Sequence, residues 1–338
     1  MRHSAATFAE QIKRRAAAGQ KWDLIFCSDM LNLAEFLGLA HRAIKDLPAV
    51  AYFHENQLTY PKRFEHERDY QFAMTNMTTA ISADSVWFNS AFHRNSFLDA
   101  LQGLLRKMPD YQPMDAVEKI AEKARVYPPG ITDIIRRNNR KPGPARMLWA
   151  ARWEHDKAPE DFFEALDILK SRAINFRVSV IGQQFREVPR VFESARKRFA
   201  EHIDRWGYQK NRAEYEQALA EADLMVSTAG HEFFGISIVE AIAAGAYPVL
   251  PKRLAYPEVL GLGQAQEREK FFYDGSVKDL VNKLEILAGQ IEKGHLQQEQ
   301  YQAAQLVERF KWHNLAPVLD KAAEKTVRTA QAANTTDL

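Results

Sequence analysis

The sequence predicts an α/β protein of two domains, each built around a parallel β-sheet. The chain has 338 residues, which is too long for one ordinary domain and suits two of about 150 residues each. Short apolar runs alternate with helix-length segments along most of it. Between Asp223 and Leu250 the order is strand, loop, helix, strand. That order is typical of a βαβ unit, whose two strands are parallel.

The first predicted domain covers residues 1–135 and alternates helices with strands. Its predicted helices are Ser4–Ala18, Leu31–Arg42, Phe64–Ala80 and Ala91–Leu105. Its predicted strands are Trp22–Ser28, Ala49–Phe53, Ser85–Asn89 and Arg125–Ile131. Two prolines break the last of these strands. Residues 136–144 combine charge, proline and glycine, which is typical of a linker between domains.

The second predicted domain covers residues 145–331 and ends in a helical tail. Its predicted strands are Arg146–Ala151, Phe176–Ile181, Ile203–Trp206, Asp223–Ser227, Tyr247–Leu250 and Phe271–Tyr273. Its predicted helices are Pro159–Lys170, Arg190–Ala200, Arg212–Glu221, a segment opened by Gly235, and Ala255–Leu260. Residues 332–338 are predicted to be disordered.

Composition excludes several classes of protein. An apolar share of 46% supports real cores, and a net charge of +2 does not by itself indicate a nucleic-acid partner. The single cysteine, Cys27, excludes an intrachain disulfide and disfavours a thiolate metal cluster. There is no apolar run of membrane-spanning length and no signal-peptide pattern. We therefore predict a soluble, cytoplasmic protein without a membrane partner.

The strongest site signal is a pair of glutamates, Glu232 and Glu240, around the start of the predicted helix after Ser227. In a parallel sheet this loop lies at the carboxyl edge, where ligands bind. Free amides near Gly235 and Ile236 would attract an anion such as a diphosphate, and carboxylates accept hydrogen bonds from sugar hydroxyls. The alternative is a capping glutamate and a solvated one. Glu240 lies in an almost wholly apolar run, where an unpaired charge would be costly.

Other polar residues follow predicted strands. His54, Glu55, Asn56 and Gln57 come directly after the strand that ends at Phe53, and they form either a site or an ordinary polar loop. In the second half, two cations, Arg152 and Lys157, follow the first strand and could neutralise a diphosphate leaving group. Their alternative is a solvated helix start, although cations there oppose the helix dipole. Gly182 allows a close backbone approach.

The spacing of Glu232 and Glu240 resembles the E-x7-E motif of the family 4 retaining glycosyltransferases, which have the GT-B fold. The resemblance implies two facing Rossmann-like domains with parallel sheets and a cleft between them. In that family the first glutamate contacts the donor sugar and the second holds the ribose. The implied donor-binding residues are Arg152, Lys157, Gly182, Phe234, Gly235, Ile236 and Glu240. No Asp-x-Asp pair is present, so we expect no metal cofactor.

The string from Phe53 to Pro61, FHENQLTYP, is similar to the hallmark of the tRNA-queuosine mannosyltransferase group. This resemblance implies transfer of mannose from GDP-mannose, with retention, to queuosine in the anticodon of tRNA-Asp. Catalytic roles are implied for His54 and Glu232, and acceptor-side roles for Glu55, Asn56 and Gln57. The group has an upstream strand and a Gly-rich turn before the point that Met1 occupies, so the first strand is expected to be missing. Whether the chain as it stands is active is left open.

Two alternatives remain at this stage. One is a family 4 glycosyltransferase that acts on a carbohydrate or lipid acceptor, and the other is a non-catalytic protein that binds nucleotide sugar or RNA. Basic clusters at Lys13–Arg15 and Arg136–Lys141 could contact RNA phosphates, although such runs are commonly solvated faces. The oligomeric state is not predicted.

Overall fold

The structure is a computed structural model that describes residues 3–40, 42–61, 70–136, 140, 143–185 and 187–336. The chain divides into two compact units. The first unit comprises Met1–Pro128 and Ala316–Leu338, and the second comprises Pro129–Leu315. The predicted division into two parts differs from this in detail, because the observed boundary lies before the predicted linker and the end of the chain groups with the first unit.

The first unit contains a parallel sheet of four strands among its described residues. The strands are β1 (Ile25–Ser28), β2 (Ala49–Phe53), β3 (Ser85–Phe88) and β4 (Ala124–Val126), arranged in the order β1-β2-β3-β4. The helices are α1 (Ser4–Ala17), α2 (Leu33–Leu39), α3 (Arg42–Lys45), α4 (Tyr70–Ser82), α5 (Ala91–Leu105) and α6 (Asp115–Lys123). Strand β1 forms one edge of this sheet.

A hydrophobic cluster of this unit lies on one face of the sheet. Alternate strand residues such as Ala51, Phe53 and Phe88 pack there with the apolar sides of the helices, including Phe97 of α5. Alternation is expected because successive side chains of a strand point to opposite faces. Polar residues that follow β1, β2 and β3 are thereby left at the carboxyl edge of the sheet.

The second unit contains a parallel sheet of six strands among its described residues. They are β5 (Ala145–Ala150), β6 (Phe176–Ile181), β7 (Ile203–Gly207), β8 (Leu224–Val226), β9 (Tyr247–Pro251) and β10 (Phe272–Tyr273). The order is β10-β9-β8-β5-β6-β7, so β5 lies between β6 and β8. The chain therefore changes direction across the sheet between β5 and β8. At such a switch point the loops after the two strands diverge and leave a crevice for ligands.

The helices of this second unit are α7 (Pro159–Ser171), α8 (Val191–Arg198), α9 (Arg212–Glu221), α10 (Ile236–Ala244), α11 (Tyr256–Val259), α12 (Val277–Glu292) and α13 (Gln297–Val307). Helix α14 (Trp312–Thr336) begins in this unit, and its residues from Ala316 onward group with the first unit. Pro159 at the start of α7 has the fixed φ that suits a first helical turn. Gly245 ends α10 with a φ of 108°, a left-handed conformation that glycine adopts without strain.

Most predicted elements are found, with several differences. The single helix predicted from Leu31 to Arg42 is two helices, α2 and α3. Helix α6 was not predicted, and β4 ends at Val126 before the two prolines. The predicted helical tail is three helices, and α14 extends to Thr336, beyond the predicted start of disorder at Ala332. The predicted helix start at Phe64 lies outside the described residues, as do 137–139 and 141–142 of the predicted linker.

Candidate active site

Two predicted site residues of the second unit, Lys157 and Glu232, lie together. The ammonium of Lys157 donates to the backbone carbonyl of His231 at 2.6 Å and lies 3.4 Å from Oε2 of Glu232. The same nitrogen, Nζ of Lys157, lies 3.0 Å from Oδ2 of Asp156. Lys157 is only 6% exposed. Burial alone would lower the pKa of Lys157, but Glu232 and Asp156 outweigh it and the pKa is raised, so the ammonium stays charged.

Glu232 also organises the loop in which it lies. Its Oε1 accepts hydrogen bonds from the backbone amides of Phe233 at 3.1 Å and Phe234 at 3.5 Å. The neighbouring ring of His231 has its pKa lowered to about 4, first by burial and then by the charge of Lys157. His231 is therefore neutral at physiological pH. The loop after β8 thus places a carboxylate and an uncharged imidazole next to the buried cation of Lys157, which lies in the segment after β5.

The start of α10 has the features of an anion site. Gly235 precedes the helix with a φ of 88°, and no side chain caps the helix. A side chain on Gly235 would lie 3.2 Å from both Ile238 and Tyr256, so the position has little room for one. Ser237 Oγ donates to the carbonyl of Ala150 at 2.8 Å, which ties the helix start to the end of β5. The helix dipole and uncapped amides favour a phosphate here.

Two further predicted donor-binding residues lie at this helix start, with different surroundings. The side chain of Phe234 is buried and packs edge-on against Phe310, with ring centroids 5.1 Å apart. Ile236 is 46% exposed. Phe234 therefore contributes to the core, whereas Ile236 has a surface that a ligand could cover.

Glu240 is buried inside α10, and both of its oxygens are held. Its Oε2 accepts a hydrogen bond of 2.7 Å from the hydroxyl of Tyr215, and its Oε1 lies 2.9 Å from Nη1 of Arg212. Both partners belong to α9, and neither was predicted as a site residue. Glu240 is only 7% exposed, and an unpaired charge so deeply buried would be costly. Its two partners offset that cost.

Arg152 and Gly182 follow β5 and β6 respectively. Arg152 lies 3.4 Å from Glu154 and its side chain is 37% exposed, so its guanidinium is accessible to solvent. Gly182 has a φ of 155°, and a Cβ on it would lie 1.7 Å from the carbonyl oxygen of Ala151. The close backbone approach predicted at Gly182 therefore exists with Ala151. Donor binding at both positions remains a prediction.

In the first unit, His54 follows β2 at the carboxyl edge of the sheet. Its backbone amide donates to Oδ1 of Asp29 at 3.1 Å, and its carbonyl accepts from Nδ2 of Asn89 at 2.8 Å. Its ring meets that of Tyr52 edge-on, with centroids 4.6 Å apart. Partial burial lowers the pKa of His54, which keeps the imidazole neutral near pH 7. Residues that follow β1 and β3 thus contact His54, which follows the strand between them.

Asp29 is the least exposed of these groups, at 1%. Its Oδ2 is buried with no hydrogen-bond partner among the described residues. Burial, reinforced by the charge of Glu55, raises the pKa of Asp29 to about 7, although hydrogen bonds from backbone amides oppose the rise. Asp29 was not predicted as a site residue. It could have been found as His54 was, because Asp29 directly follows β1 just as His54 directly follows β2.

The predicted acceptor-side residues form part of a turn after His54. Asn56 is fully buried, and its Oδ1 accepts from the backbone amide and the hydroxyl of Thr59 at 2.9 and 3.1 Å. Gln57 donates its backbone amide to Asn76 at 2.8 Å, and its side chain donates to Glu55 at 3.4 Å. Asn56 therefore holds the turn, and an acceptor contact by these residues remains a prediction.

Neither a metal-binding cluster nor a membrane-spanning helix is found among the described residues. No group of three or more histidine, cysteine, aspartate or glutamate side chains there is arranged to hold a metal ion. No helix within those ranges combines the length and the apolar character needed to span a bilayer.

Comparison with known proteins gives matches to both units. Residues 1–131 match the family model for the N-terminal part of tRNA-queuosine alpha-mannosyltransferase, and residues 131–305 match glycosyl transferases group 1. A tRNA-queuosine alpha-mannosyltransferase of Drosophila melanogaster is 36% identical over 272 residues, covering 76% of this chain and 70% of that protein. The chain belongs to the tRNA-queuosine alpha-mannosyltransferase family of glycosyltransferases. It is therefore a glycosyltransferase, as the sequence predicted.

Solved structures agree on the fold. Sucrose-phosphate synthase from Thermosynechococcus elongatus aligns with a TM-score of 0.70 at 16% identity, covering 96% of this chain and 78% of that one. HepE of Anabaena, solved in complex with UDP, aligns with a TM-score of 0.66 at 17% identity, covering 95% and 82%. A glycosyltransferase from Rickettsia africae has a TM-score of 0.66 at 16% identity, covering 96% and 80%. The predicted GT-B class, with its Rossmann-like domains, is confirmed.

Proposed function

We propose that the chain transfers mannose from GDP-mannose, with retention of configuration, to queuosine in the anticodon of tRNA-Asp. The observation that carries the proposal is the 36% identity to the Drosophila tRNA-queuosine alpha-mannosyltransferase, together with the family match over residues 1–131. The match over residues 1–131 includes the string from His54 to Pro61. That string resembles the feature that distinguishes this group from other family 4 enzymes.

The donor is bound by the second unit. The uncapped start of α10 at Gly235 and the accessible guanidinium of Arg152 support a diphosphate site, because amides and cations stabilise the charge of a leaving group. Glu240 accepts hydrogen bonds from the ribose, and Glu232 accepts them from the sugar. The ammonium of Lys157 lies 3.4 Å from the Glu232 carboxylate and orients it for that purpose.

Transfer proceeds with the acceptor hydroxyl attacking from the side of the leaving group. A donor phosphate oxygen takes the hydroxyl proton, the glycosidic bond to the diphosphate breaks, and GDP leaves. His54 orients the sugar through its neutral imidazole, supported by its backbone bonds to Asp29 and Asn89. The two glutamates do not act as the acid and nucleophile of a glycosidase. No metal cofactor takes part, and the cytoplasmic location expected from the sequence remains a prediction.

The acceptor is presented as an unstacked base. Sequence-specific recognition of RNA commonly requires a splayed base in a single-stranded loop, and the anticodon is such a loop. Lysine and arginine contacts to phosphates would then supply much of the affinity. Binding of tRNA should therefore weaken steeply as the salt concentration rises.

The test is a transfer assay with GDP-mannose and tRNA-Asp that either carries or lacks queuosine. Mass spectrometry of the digested nucleosides should find one added hexose only on queuosine, and an α-mannosidase should remove it. His54→Ala should abolish transfer, whereas His313→Ala, at an exposed histidine of α14, should leave it unchanged. Equal transfer to tRNA without queuosine, or transfer only to a free sugar or lipid, would refute the proposed acceptor.

A further inference from the structure

The carboxylate of Glu240 is fixed by two side chains that approach it from another helix. Tyr215 and Arg212, from the first turn of α9, each donate to one oxygen, at 2.7 and 2.9 Å. A single partner would leave the carboxylate free to rotate about its last bond. Two donors on different oxygens fix both its position and its plane.

The Arg212 guanidinium is itself held from several directions. Its Nε donates to Glu216 at 2.6 Å, and its Nη2 donates to the hydroxyl of Thr132 at 3.1 Å. Its central carbon lies 5.3 Å from the ring of Tyr215. The side chain is 49% exposed, but Glu240, Glu216 and Thr132 each contact a different nitrogen of its guanidinium. These contacts restrain Arg212, which reduces the side-chain entropy lost when a ligand binds next to it.

The chemistry of these partners decides what else Glu240 can bind. A carboxylate has about four acceptor sites, and Tyr215 and Arg212 occupy two of them. Burial raises the pKa of Tyr215, and the charge of Glu240 raises it further, so the phenol stays protonated and remains a donor. One acceptor site remains on each oxygen, so a ligand group that binds there must be a hydrogen-bond donor. Two adjacent hydroxyls on one ring, as in a ribose, match this arrangement.

We propose that Tyr215 and Arg212 are positioning residues that fix the Glu240 carboxylate for the 2′ and 3′ hydroxyls of the donor ribose. This inference rests on the proposed function, in which Glu240 holds the ribose. It adds that α9 makes the site selective for a ribonucleoside diphosphate. The hydroxyl of Tyr215 contributes through Glu240 and does not contact the base or the phosphates.

The test compares nucleotides with and without the two hydroxyls by calorimetry. GDP and UDP are titrated first, and the one that binds more tightly is compared with its 2′,3′-dideoxy form. The wild-type chain should bind the dideoxy form at least about tenfold more weakly, as expected for lost hydrogen bonds to a charged group. Binding of UDP but not GDP would refute the proposed donor and would leave this test intact. Binding of neither nucleotide would overturn the inference.

The variants separate positioning from folding. Tyr215→Phe should weaken binding of the ribonucleotide about tenfold and leave the dideoxy form within about twofold, because only the former uses the fixed carboxylate. Arg212→Gln should act in the same direction, and Arg212→Lys should restore part of the loss because it returns a cationic donor. Glu240→Gln should reduce the preference for ribose most. Melting temperatures measured on each variant check that it is folded.

Tyr301→Phe removes a hydroxyl from an exposed tyrosine whose ring contacts Arg136, and it should change neither affinity. Equal weakening of both nucleotides by Tyr215→Phe, or no weakening of either, would overturn the inference. If Glu240→Gln keeps the full preference for the ribonucleotide, Glu240 does not bind the ribose. The inference about Tyr215 and Arg212 then fails as well. The transfer assay on tRNA is independent of all these results.

Discussion

Lys157 and Glu232 are 75 residues apart in the sequence, yet the ammonium of one lies 3.4 Å from a carboxylate oxygen of the other. The same ammonium neutralises Asp156 at 3.0 Å and donates to the carbonyl of His231 at 2.6 Å. Three oxygen atoms of the protein therefore already lie close to the ammonium. A diphosphate at Lys157 would compete with these oxygens, whereas the side chain of Arg152 is 37% exposed.

Lys157→Met should destabilise the protein strongly. It removes the cation and leaves the carboxylates of Asp156 and Glu232 close together with little exposure to water. Breaking a buried ion pair costs about 3–5 kcal/mol, and urea unfolding monitored by circular dichroism should find a loss of that size. Arg152→Gln is the matched control, because its side chain is partly exposed and its ion pair is long.

Arg152→Gln should change the unfolding free energy by less than about 0.5 kcal/mol, as is usual at the surface. It should nevertheless weaken binding of GDP, since a phosphate contact is lost. If Lys157→Met is as stable as wild type, the buried ion pair does not stabilise the fold. If Arg152→Gln binds GDP normally, the guanidinium is not part of the diphosphate site.

Gly182→Ala should prevent stable folding of the second unit. The new Cβ would lie 1.7 Å from the carbonyl oxygen of Ala151, and a φ of 155° is strained for any residue with a side chain. The expected loss of unfolding free energy exceeds about 3 kcal/mol, measured by urea unfolding. Gly289→Ala in α12 is the control. A Cβ there meets nothing within 4 Å, so this change should stabilise the protein by about 0.5–1 kcal/mol.

Asp29→Asn should change how stability depends on pH. The pKa of Asp29 is raised from 3.8 to about 7 in the folded chain, first by burial. Between these values the unfolded chain has lost the proton while the folded chain keeps it, so rising pH lowers the unfolding free energy by up to about 1.4 kcal/mol per unit. Asparagine does not titrate. The stability of wild type relative to the variant should therefore fall from about pH 4 to about pH 7 and be constant above.

Urea unfolding of both proteins at pH 4.5, 6 and 8 measures this difference. The histidines titrate in both proteins and cancel in the comparison. A difference that does not vary with pH, or one that favours wild type increasingly as the pH rises, would contradict the raised pKa of Asp29.

Removal of metal ions should leave the donor chemistry intact. The proposed leaving-group stabilisers are the amides at the start of α10 and the cation of Arg152, and neither requires a divalent ion. Hydrolysis of GDP-mannose without tRNA should therefore proceed at an unchanged rate in excess EDTA. The donor-only reaction is the better assay, since the fold of tRNA itself responds to magnesium. Loss of hydrolysis in EDTA, restored by magnesium or manganese, would disprove the metal-free mechanism.

The sequence by itself determined the order of most strands and helices and the positions of several site residues. Apolar runs and helical spacing indicate which residues of a single strand or helix are buried. The local sequence was therefore sufficient to predict β5, β6 and α10. His54 and Arg152 were identified because each follows a predicted strand. Residues that follow parallel strands lie at the carboxyl edge of the sheet, whatever the order of the strands. Helix α6 was missed because its surface is mostly charged and its apolar side is narrow.

The tertiary structure alone decided what each charged group contacts. Nothing in the pattern around Glu240 indicated that Tyr215 and Arg212 would hold it, since they lie on a different helix 25 residues or more away. The burial of Lys157 depends equally on β5 lying next to β8 in the sheet. Local sequence specifies which face of an element is apolar. Partners across the fold are specified by strand order, which depends on how all the elements pack together.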